Sequence, residues 1–319
     1  MEKKRRERDI LRLVYDEAEF LDVREQENPD FVLRRAGSAI GFGVEVTELF
    51  ETESHARVRV HPRYVSELLA GSSVMHKDDL VNLEVKRVTI TNPDGREKAK
   101  DVPAIIRPTP TRAAHIMGLH EVLERKDKRI AEYLPGLTHV NLIVLDRFDR
   151  DWGPADDIRS EDLLTSEMRE ALYGTGFREV LFVTHVAPDK RRVVPLRMLL
   201  LVSELYLFYG AVAAFESGEE ITTSDQLIPA FVDYMRREGR PILLAEIEGS
   251  LAAQLGNAAI GLDEHRLRIF DHADFALAEP VAHDVPIDAY LMGKPFREFH
   301  RQFASAHTFV SPLAFDVRE

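Results

Sequence analysis

A long, largely apolar segment, Met198 to Phe215, restricts the folds open to this chain more than any other feature of its sequence. Such a segment must be buried, either in a lipid bilayer or inside a folded domain. Its length is at the lower limit for a membrane span, and Glu204 lies near its middle, where a carboxylate is costly in lipid. We therefore predict a helix buried in a protein core, a partner for Glu204, and no association with a membrane.

The composition fits a globular protein and sets conditions on any partner. Hydrophobic residues make up 45% and charged residues 30% of the 319 residues, which is ordinary for a folded domain. The absence of cysteine excludes disulfides and zinc sites built on thiolates. Because it fits a reducing compartment and the N-terminal segment lacks the pattern of a secretory signal, we expect a cytoplasmic protein. With a formal net charge of −13, any nucleic-acid site must be a local basic surface on an acidic body.

The periodicity of apolar residues predicts an α/β protein. Short β-branched runs, typical of strands in the middle of a sheet, alternate with amphipathic helical segments. We expect one domain over residues 1–198, with a mixed sheet flanked by helices, and a mainly helical C-terminal extension over residues 199–319. The predicted strands are 30–35, 40–49, 83–91, 102–106, 140–145, 177–186, 193–197 and 241–247, and the predicted helices are 3–21, 65–70, 112–133, 161–173, 198–215 and 224–237.

The segment NPDFVLRRAGSAIGFGVEVTEL carries the most chemical information. Asp30 begins one predicted strand and Glu45 lies within the next, after a turn at Gly37 and Ser38. Because side chains alternate between the two faces of a strand, Phe42, Val44 and Val46 would enter the core. Glu45 would then point away from that core, beside the start of the preceding strand. Two carboxylates at this point form a hard-oxygen site suited to Mg²⁺ or Mn²⁺.

Asp30 in PDF, followed by Glu45 in GVEVTEL, resembles the PD-(D/E)xK nuclease superfamily. The similarity is greatest to the branch in which PDF precedes a G-x-E-x-T strand. It implies a restriction-endonuclease-like fold and a metal-dependent endonuclease that hydrolyses phosphodiester bonds in nucleic acid, with DNA as the expected substrate. Asp30, Glu45 and the main-chain carbonyl of Val46 would hold Mg²⁺ or Mn²⁺. The usual lysine is replaced by Thr47, so the resemblance requires a lysine from another element.

Lys126 is the candidate for that missing lysine. It lies in a predicted helix whose other stripe positions, Leu119, Leu123, Ile130 and Tyr133, are apolar or aromatic. An ammonium on a core-facing stripe is costly unless it meets a carboxylate or reaches solvent at the helix edge. We therefore expect either a contact with the acidic site or an ordinary lysine that extends to solvent.

Glu17 is the fourth candidate site residue. It interrupts the apolar stripe Ile10, Val14 and Leu21 of the first predicted helix. The resemblance implies a supporting role at the metal site, because family members often add a glutamate from this helix; Glu19 is the alternative if the helix is rotated. A structural role for Glu17 and a turn role for Asp30 remain open.

The two leading hypotheses for the whole chain differ in class. The first is a metal-dependent nuclease, which the resemblance associates with defence or mobile elements. The second is an inactive nuclease-like fold that binds protein or nucleic acid, which the acidic charge and Thr47 favour. A third is a helical interaction protein whose function lies in residues 198–319. Convergence of Asp30, Glu45 and the Lys126 ammonium is the geometric requirement of the first hypothesis.

Overall fold

The computed structural model describes residues 2–71, 76–90, 100–106, 111–133, 136–148, 160–187, 190–215, 224–263, 266–270, 294–306 and 315–316. The chain divides into two compact units. The first contains Met1–Glu48, His120–Asp146 and Gly153–Glu319, and the second contains Leu49–Leu119 and Arg147–Trp152. The predicted boundary near residue 198 falls inside the first unit and stays a prediction.

The main sheet of the first unit is mixed, with parallel and antiparallel strands, as predicted. Its spatial order is β1-β2-β3-β6-β7-β8-β13, where β4 and β5 belong to the second unit. The β1–β2 and β2–β3 pairs are antiparallel, whereas β6 and β7 run parallel. In chain order its strands are β1 (Asp22–Glu25), β2 (Phe31–Arg34), β3 (Phe42–Leu49), β6 (Val140–Asp146), β7 (Val180–Ala187), β8 (Lys190–Pro195) and β13 (Phe315–Asp316).

Helix α1 (Glu2–Arg12) covers one face of this sheet. Its apolar residues Ile10 and Leu11 pack with Phe31 and Val44, and β-branched side chains from the central strands complete the core. The predicted helix over residues 3–21 is wrong beyond Arg12. The helix stops there because the buried rings of Tyr15 and Phe20 join the same core in an edge-to-face contact, which a continuing helix would not permit.

The apolar segment predicted from the sequence forms helix α7 (Leu196–Phe215) of the first unit. Helix α7 is long and apolar enough to span a membrane by length and composition, but most of it is buried in the structure, which fits the core helix of a soluble protein. Glu204 has the charged partner that its burial requires, because a guanidinium nitrogen of Arg169 lies 2.6 Å from its Oε1. The other α-helices described in the first unit after α1 are α5 (Arg112–Asp127), which begins in the second unit, α6 (Ser166–Gly174), α8 (Ser224–Arg237) and α9 (Lys294–Ala306).

A four-stranded antiparallel sheet lies in the C-terminal part, in the order β12-β11-β10-β9. The expectation of a mainly helical extension omitted three of these strands. Two-residue turns join β9 to β10 and β10 to β11. In the first turn Glu248 and Gly249 both have positive φ, as a tight hairpin turn requires, and Gly256–Asn257 forms the second. The strands are β9 (Leu243–Ile247), β10 (Ser250–Leu255), β11 (Ala258–Asp263) and β12 (Arg266–Phe270).

The second unit is small and contains a predicted hairpin. Strands β4 (Glu84–Ile90) and β5 (Lys100–Ile106) pair in antiparallel register, with Glu84 opposite Ile106 and Ile90 opposite Lys100. The turn expected at residues 92–95 lies outside the described residues. The carboxylate of Asp79 is buried and accepts hydrogen bonds from Arg57 and Tyr64, which ties the three helices of this unit together. These helices are α2 (Glu53–Val60), α3 (Pro62–Leu69) and α4 (Asp79–Asn82).

Candidate functional site

Strands β2 and β3 bring Asp30 and Glu45 together. Phe31 pairs with Val44 in antiparallel register, so the next positions outward are Asp30 and Glu45. Both carboxylates are buried, with 5% of each residue exposed. The main-chain N–H of Val46 donates a 2.9 Å hydrogen bond to Oδ2 of Asp30. The register of the hairpin therefore places two acidic groups side by side at the N-terminal end of β2.

Lys126 reaches this pair from α5. Its Nζ lies 2.6 Å from Oε1 of Glu45, and its side chain is 15% exposed. The apolar neighbours Leu119 and Leu123 on the same helix are fully buried, which directs this stripe of α5 inward. The contact expected from the sequence is present, whereas the chemical role of Lys126 stays a prediction. Lys128, two residues further along, is exposed.

The surroundings of Glu45 oppose its negative charge. Burial raises the pKa of the Glu45 carboxyl above its ordinary value, and the nearby charge of Asp30 raises that pKa further. The ammonium of Lys126 acts in the opposite direction, and the pKa remains raised. A buried carboxylate beside a second carboxylate is stabilised by positive charge, so this position favours a cation.

A second lysine, Lys4 of α1, contacts the other carboxylate. Its Nζ lies 3.2 Å from Oδ1 of Asp30 and 2.7 Å from the main-chain oxygen of Gln26. The same ammonium lies 3.2 Å from Oε2 of Glu7, whose residue is 7% exposed. Burial lowers the pKa of Lys4, but the contacts with Glu7 and Asp30 outweigh it and leave the pKa raised. Lys4 thus links a buried glutamate of α1 to the Asp30–Glu45 pair.

Three buried oxygens at the site lack a hydrogen bond of normal geometry. They are Oε2 of Glu7, Oε2 of Glu45 and the hydroxyl of Tyr133, a residue 8% exposed that follows α5. Burial raises the pKa of the Tyr133 phenol, and the charge of Glu45 and a side-chain interaction with it raise that pKa further. Tyr133 and Glu45 are therefore neighbours, and buried polar atoms without a well-formed hydrogen bond call for an explanation.

Glu17 lies elsewhere. It sits in a single turn of 3₁₀ helix, Glu17–Glu19, and its carboxylate accepts hydrogen bonds of 2.6 to 2.9 Å from Arg8 and Arg12. No contact joins it to Asp30 or Glu45 among the described residues. The hydrogen bond from Arg8 is the largest cause that lowers the pKa of Glu17 to about 2. Its site role stays a prediction, and the structure pairs it with arginines.

Sequence reasoning missed Glu7 and Lys4. The signal for Glu7 was present: it precedes Ile10 and Leu11 by three and four positions, so a glutamate occupies a core-facing position of α1. Because the helix was predicted to continue to residue 21, Glu17 was predicted as the supporting glutamate instead. Lys4 carries no comparable signal, because a lysine in the segment KKRR reads as solvated surface.

The donor atoms suit a hard divalent cation. Oε2 of Glu45 is buried and has no hydrogen bond of normal geometry, and the oxygens of Asp30 and the carbonyl of Val46 are the further ligands predicted from the sequence. Within the part of the chain that the structure describes, no three histidine, aspartate or glutamate side chains are grouped closely enough to bind a metal. The predicted site therefore depends on two carboxylates and a main-chain oxygen.

Comparisons of the chain with family models, with curated proteins and with solved structures found no match. The site itself combines two adjacent buried carboxylates with two lysines and with the buried hydroxyl of Tyr133.

Proposed function

We propose that the protein is a metal-dependent nuclease that hydrolyses phosphodiester bonds, with DNA as its substrate. One observation carries the proposal: the ammonium of Lys126 contacts Glu45, the carboxylate beside Asp30. The chain thereby assembles, from three separate elements, two acidic groups and one lysine. That is the set of groups expected from the resemblance to PD-(D/E)xK nucleases, with Lys126 in place of the lysine missing at Thr47.

The proposed roles follow from the contacts. A Mg²⁺ or Mn²⁺ ion, when bound by Asp30, Glu45 and the Val46 carbonyl, would supply positive charge at the phosphate and lower the pKa of water. Lys126 would orient the attacking water and stabilise the negative charge that develops on the phosphate oxygens. Hydrolysis adds this water to phosphorus and breaks the bond to one ester oxygen, so no covalent bond to the protein forms.

Lys4 and Glu7 would adjust the charge around Asp30. Lys4 contacts the carboxylates of Asp30 and Glu7, so it holds these two side chains in place. In this arrangement Glu7 supports the site and is not itself a metal ligand. Glu7 is therefore a better supporting glutamate from the first helix than Glu17, which pairs with Arg8 and Arg12. We also propose, on the resemblance alone, a restriction-endonuclease-like sheet and a role in defence or mobile elements. The lack of cysteine supports a proposed cytoplasmic location.

A cleavage assay tests this function. Purified protein should cut supercoiled plasmid or single-stranded DNA with Mg²⁺ or Mn²⁺ and lose this activity in EDTA. Glu45→Ala should abolish cutting, whereas Glu246→Ala, which removes an exposed glutamate from strand β9, should not. Equal activity of both variants would contradict a site at Glu45.

A second candidate function is an inactive nuclease-like fold that binds nucleic acid or protein. The observation that favours it is the pairing of each carboxylate with its own lysine, Asp30 with Lys4 and Glu45 with Lys126. Two ammonium groups already neutralise the pair, so the fold does not need a metal for charge balance. Binding of nucleic acid by wild-type protein without cleavage under any metal condition would favour this candidate.

A further inference from the structure

Strands β1, β2 and β3 present a set of side chains on one face of the main sheet. Val32 pairs with Arg24 on β1 and with Gly43 on β3, and Arg34 pairs with Asp22. Residues directly opposite each other on paired strands point to the same face. The alternate residues, including Phe31 and Leu33, enter the core beneath α1. Arg24, Val32 and Arg34 therefore share the face opposite to this core.

This face contains a groove of about 470 Å³. Its lining includes Arg24, Val32 and Arg34, together with Asp22, Gly41 and Leu137. Gly41 has to be small, since a Cβ at this position would lie 2.8 Å from the main-chain oxygen of Leu33 and 2.9 Å from Cγ1 of Val32. The absence of a side chain at Gly41 thus preserves the floor of the groove.

The groove offers positive charge in an acidic protein. The main-chain oxygen of Arg34 accepts a hydrogen bond from Leu21, whereas its guanidinium makes no ion pair or hydrogen bond with any described residue. Arg24 pairs with Asp22 at 3.1 Å while its side chain stays 66% exposed. Charged residues on an edge strand also discourage pairing with other chains. That explanation covers Arg24 on the edge strand β1 but not Arg34, because β2 is paired on both sides. A planar guanidinium without a partner suits an anionic ligand, and above all a phosphate.

The groove and the carboxylate site lie along the same strand. The register that pairs Val32 with Gly43 continues to Asp30 and Glu45, so the acidic pair lies four residues before Arg34 on β2. Four residues of an antiparallel strand span about 14 Å. A nucleic-acid strand in a duplex carries one phosphate per roughly 3.4 Å of helix axis, so this span corresponds to about four nucleotides.

We propose that the groove lined by Arg24 and Arg34 binds the phosphodiester backbone of the nucleic-acid strand, with Arg34 about four nucleotides from the bond at the Asp30–Glu45 pair. This inference rests on the proposed function for the identity of the reacting site. It adds to that function a surface that holds the substrate, and it predicts that the bound nucleic-acid strand runs along β2. It also accounts for binding of a polyanion by a chain of net charge −13, because the attraction is local.

Fluorescence anisotropy of a labelled 20-base-pair duplex, measured in EDTA over a range of salt concentrations, tests this binding surface. The Arg34→Gln variant should bind about tenfold more weakly at low salt, and the slope of log affinity against log salt should fall by about one. Arg34→Lys should keep most of the slope, since it keeps the charge. Arg266→Gln is the matched control, because it removes an exposed arginine from the strand β12 of the other sheet. Melting temperatures identify any variant that fails to fold.

The outcomes separate this proposal from the nuclease proposal. If Arg34→Gln and Arg24→Gln bind like Arg266→Gln while wild type cleaves DNA, the groove proposal is overturned and the nuclease stands. If binding depends on both arginines but no metal supports cleavage, the groove is supported and the nuclease is not. A wild-type protein that binds neither DNA nor RNA of the same sequence overturns the groove proposal.

Discussion

The ammonium nitrogen of Lys126 lies 2.6 Å from Oε1 of Glu45, although 81 residues separate the two along the chain. This contact joins the end of helix α5 to the middle of strand β3. It converts an isolated lysine on an apolar stripe into the partner of a buried carboxylate. The properties of Lys126 variants therefore test both the fold and the proposed chemistry.

Lys126→Met should reduce metal-dependent cleavage by at least about a hundredfold, the scale of one lost transition-state charge contact. It should also lower the melting temperature, because Glu45 would remain buried without its countercharge. Lys126→Arg should restore stability by keeping the charge. Lys128→Met, which changes an exposed lysine two residues away, should alter neither property. Full activity of Lys126→Met beside an inactive Glu45→Ala would show that Lys126 takes no part in hydrolysis.

Mn²⁺ should stabilise the folded protein through Asp30 and Glu45. At one hundred times its dissociation constant, the ion would add about 2.7 kcal/mol to the free energy of unfolding, seen as a rise in melting temperature. Asp30→Asn should remove most of this rise, because it removes a ligand charge. Asp9→Asn, with the same change of net charge on an exposed residue of α1, should keep it. Equal shifts for Asp30→Asn and wild type would exclude Asp30 as a ligand.

Glu17 should contribute to stability in a defined range of pH. Its folded-state pKa, lowered from 4.5 to about 2 chiefly by Arg8, is below that of the unfolded chain. The stabilisation is therefore fully present above about pH 4.5 and is lost as the pH falls towards 2. Glu17→Gln should be less stable than wild type at pH 7 and should approach it near pH 2.

Variants of Glu17 and Glu7 distinguish a structural role from a role at the site. Glu17→Gln should cleave DNA like wild type once folded, since within the described part of the chain its carboxylate pairs with Arg8 and Arg12 and not with the site. Glu7→Gln should reduce cleavage, because Lys4 would lose one of the two carboxylates that position it beside Asp30. A loss of cleavage in Glu17→Gln alone would return the supporting role to Glu17.

Arg169 should be essential to the packing of helix α7. It donates hydrogen bonds to Glu204, Ser203 and the main-chain oxygen of Leu164, so it joins α6 to α7. Arg169→Leu should lower the free energy of unfolding by about 3 kcal/mol, because the largely buried Glu204 would lose its countercharge and keep only the neutral Tyr173 beside it. Arg237→Leu removes a surface pair on α8 and should cost under about 1 kcal/mol in urea unfolding. Wild-type protein should be recovered without detergent; fractionation with membranes would contradict the buried position of α7.

The sequence by itself determined the elements whose signals are local. Strands β2, β3 and β6 follow from short runs rich in apolar residues, and α7 follows from its length, its composition and the single carboxylate that required a partner. Asp30 and Glu45 could be named from the motif that resembles the PD-(D/E)xK nucleases. Lys126 could be named because it interrupts an otherwise apolar stripe of its helix.

The tertiary structure decided where helices end and which charged groups meet. Helix α1 stops at Arg12 because Tyr15 and Phe20 enter the core, and α5 stops at Asp127, whose carboxylate accepts hydrogen bonds from Thr175 and Gly176. Local propensity cannot encode these limits, because they depend on side chains distant in the sequence. The contact of Lys4 with Asp30 has the same origin, since it exists only once α1 has packed against the sheet.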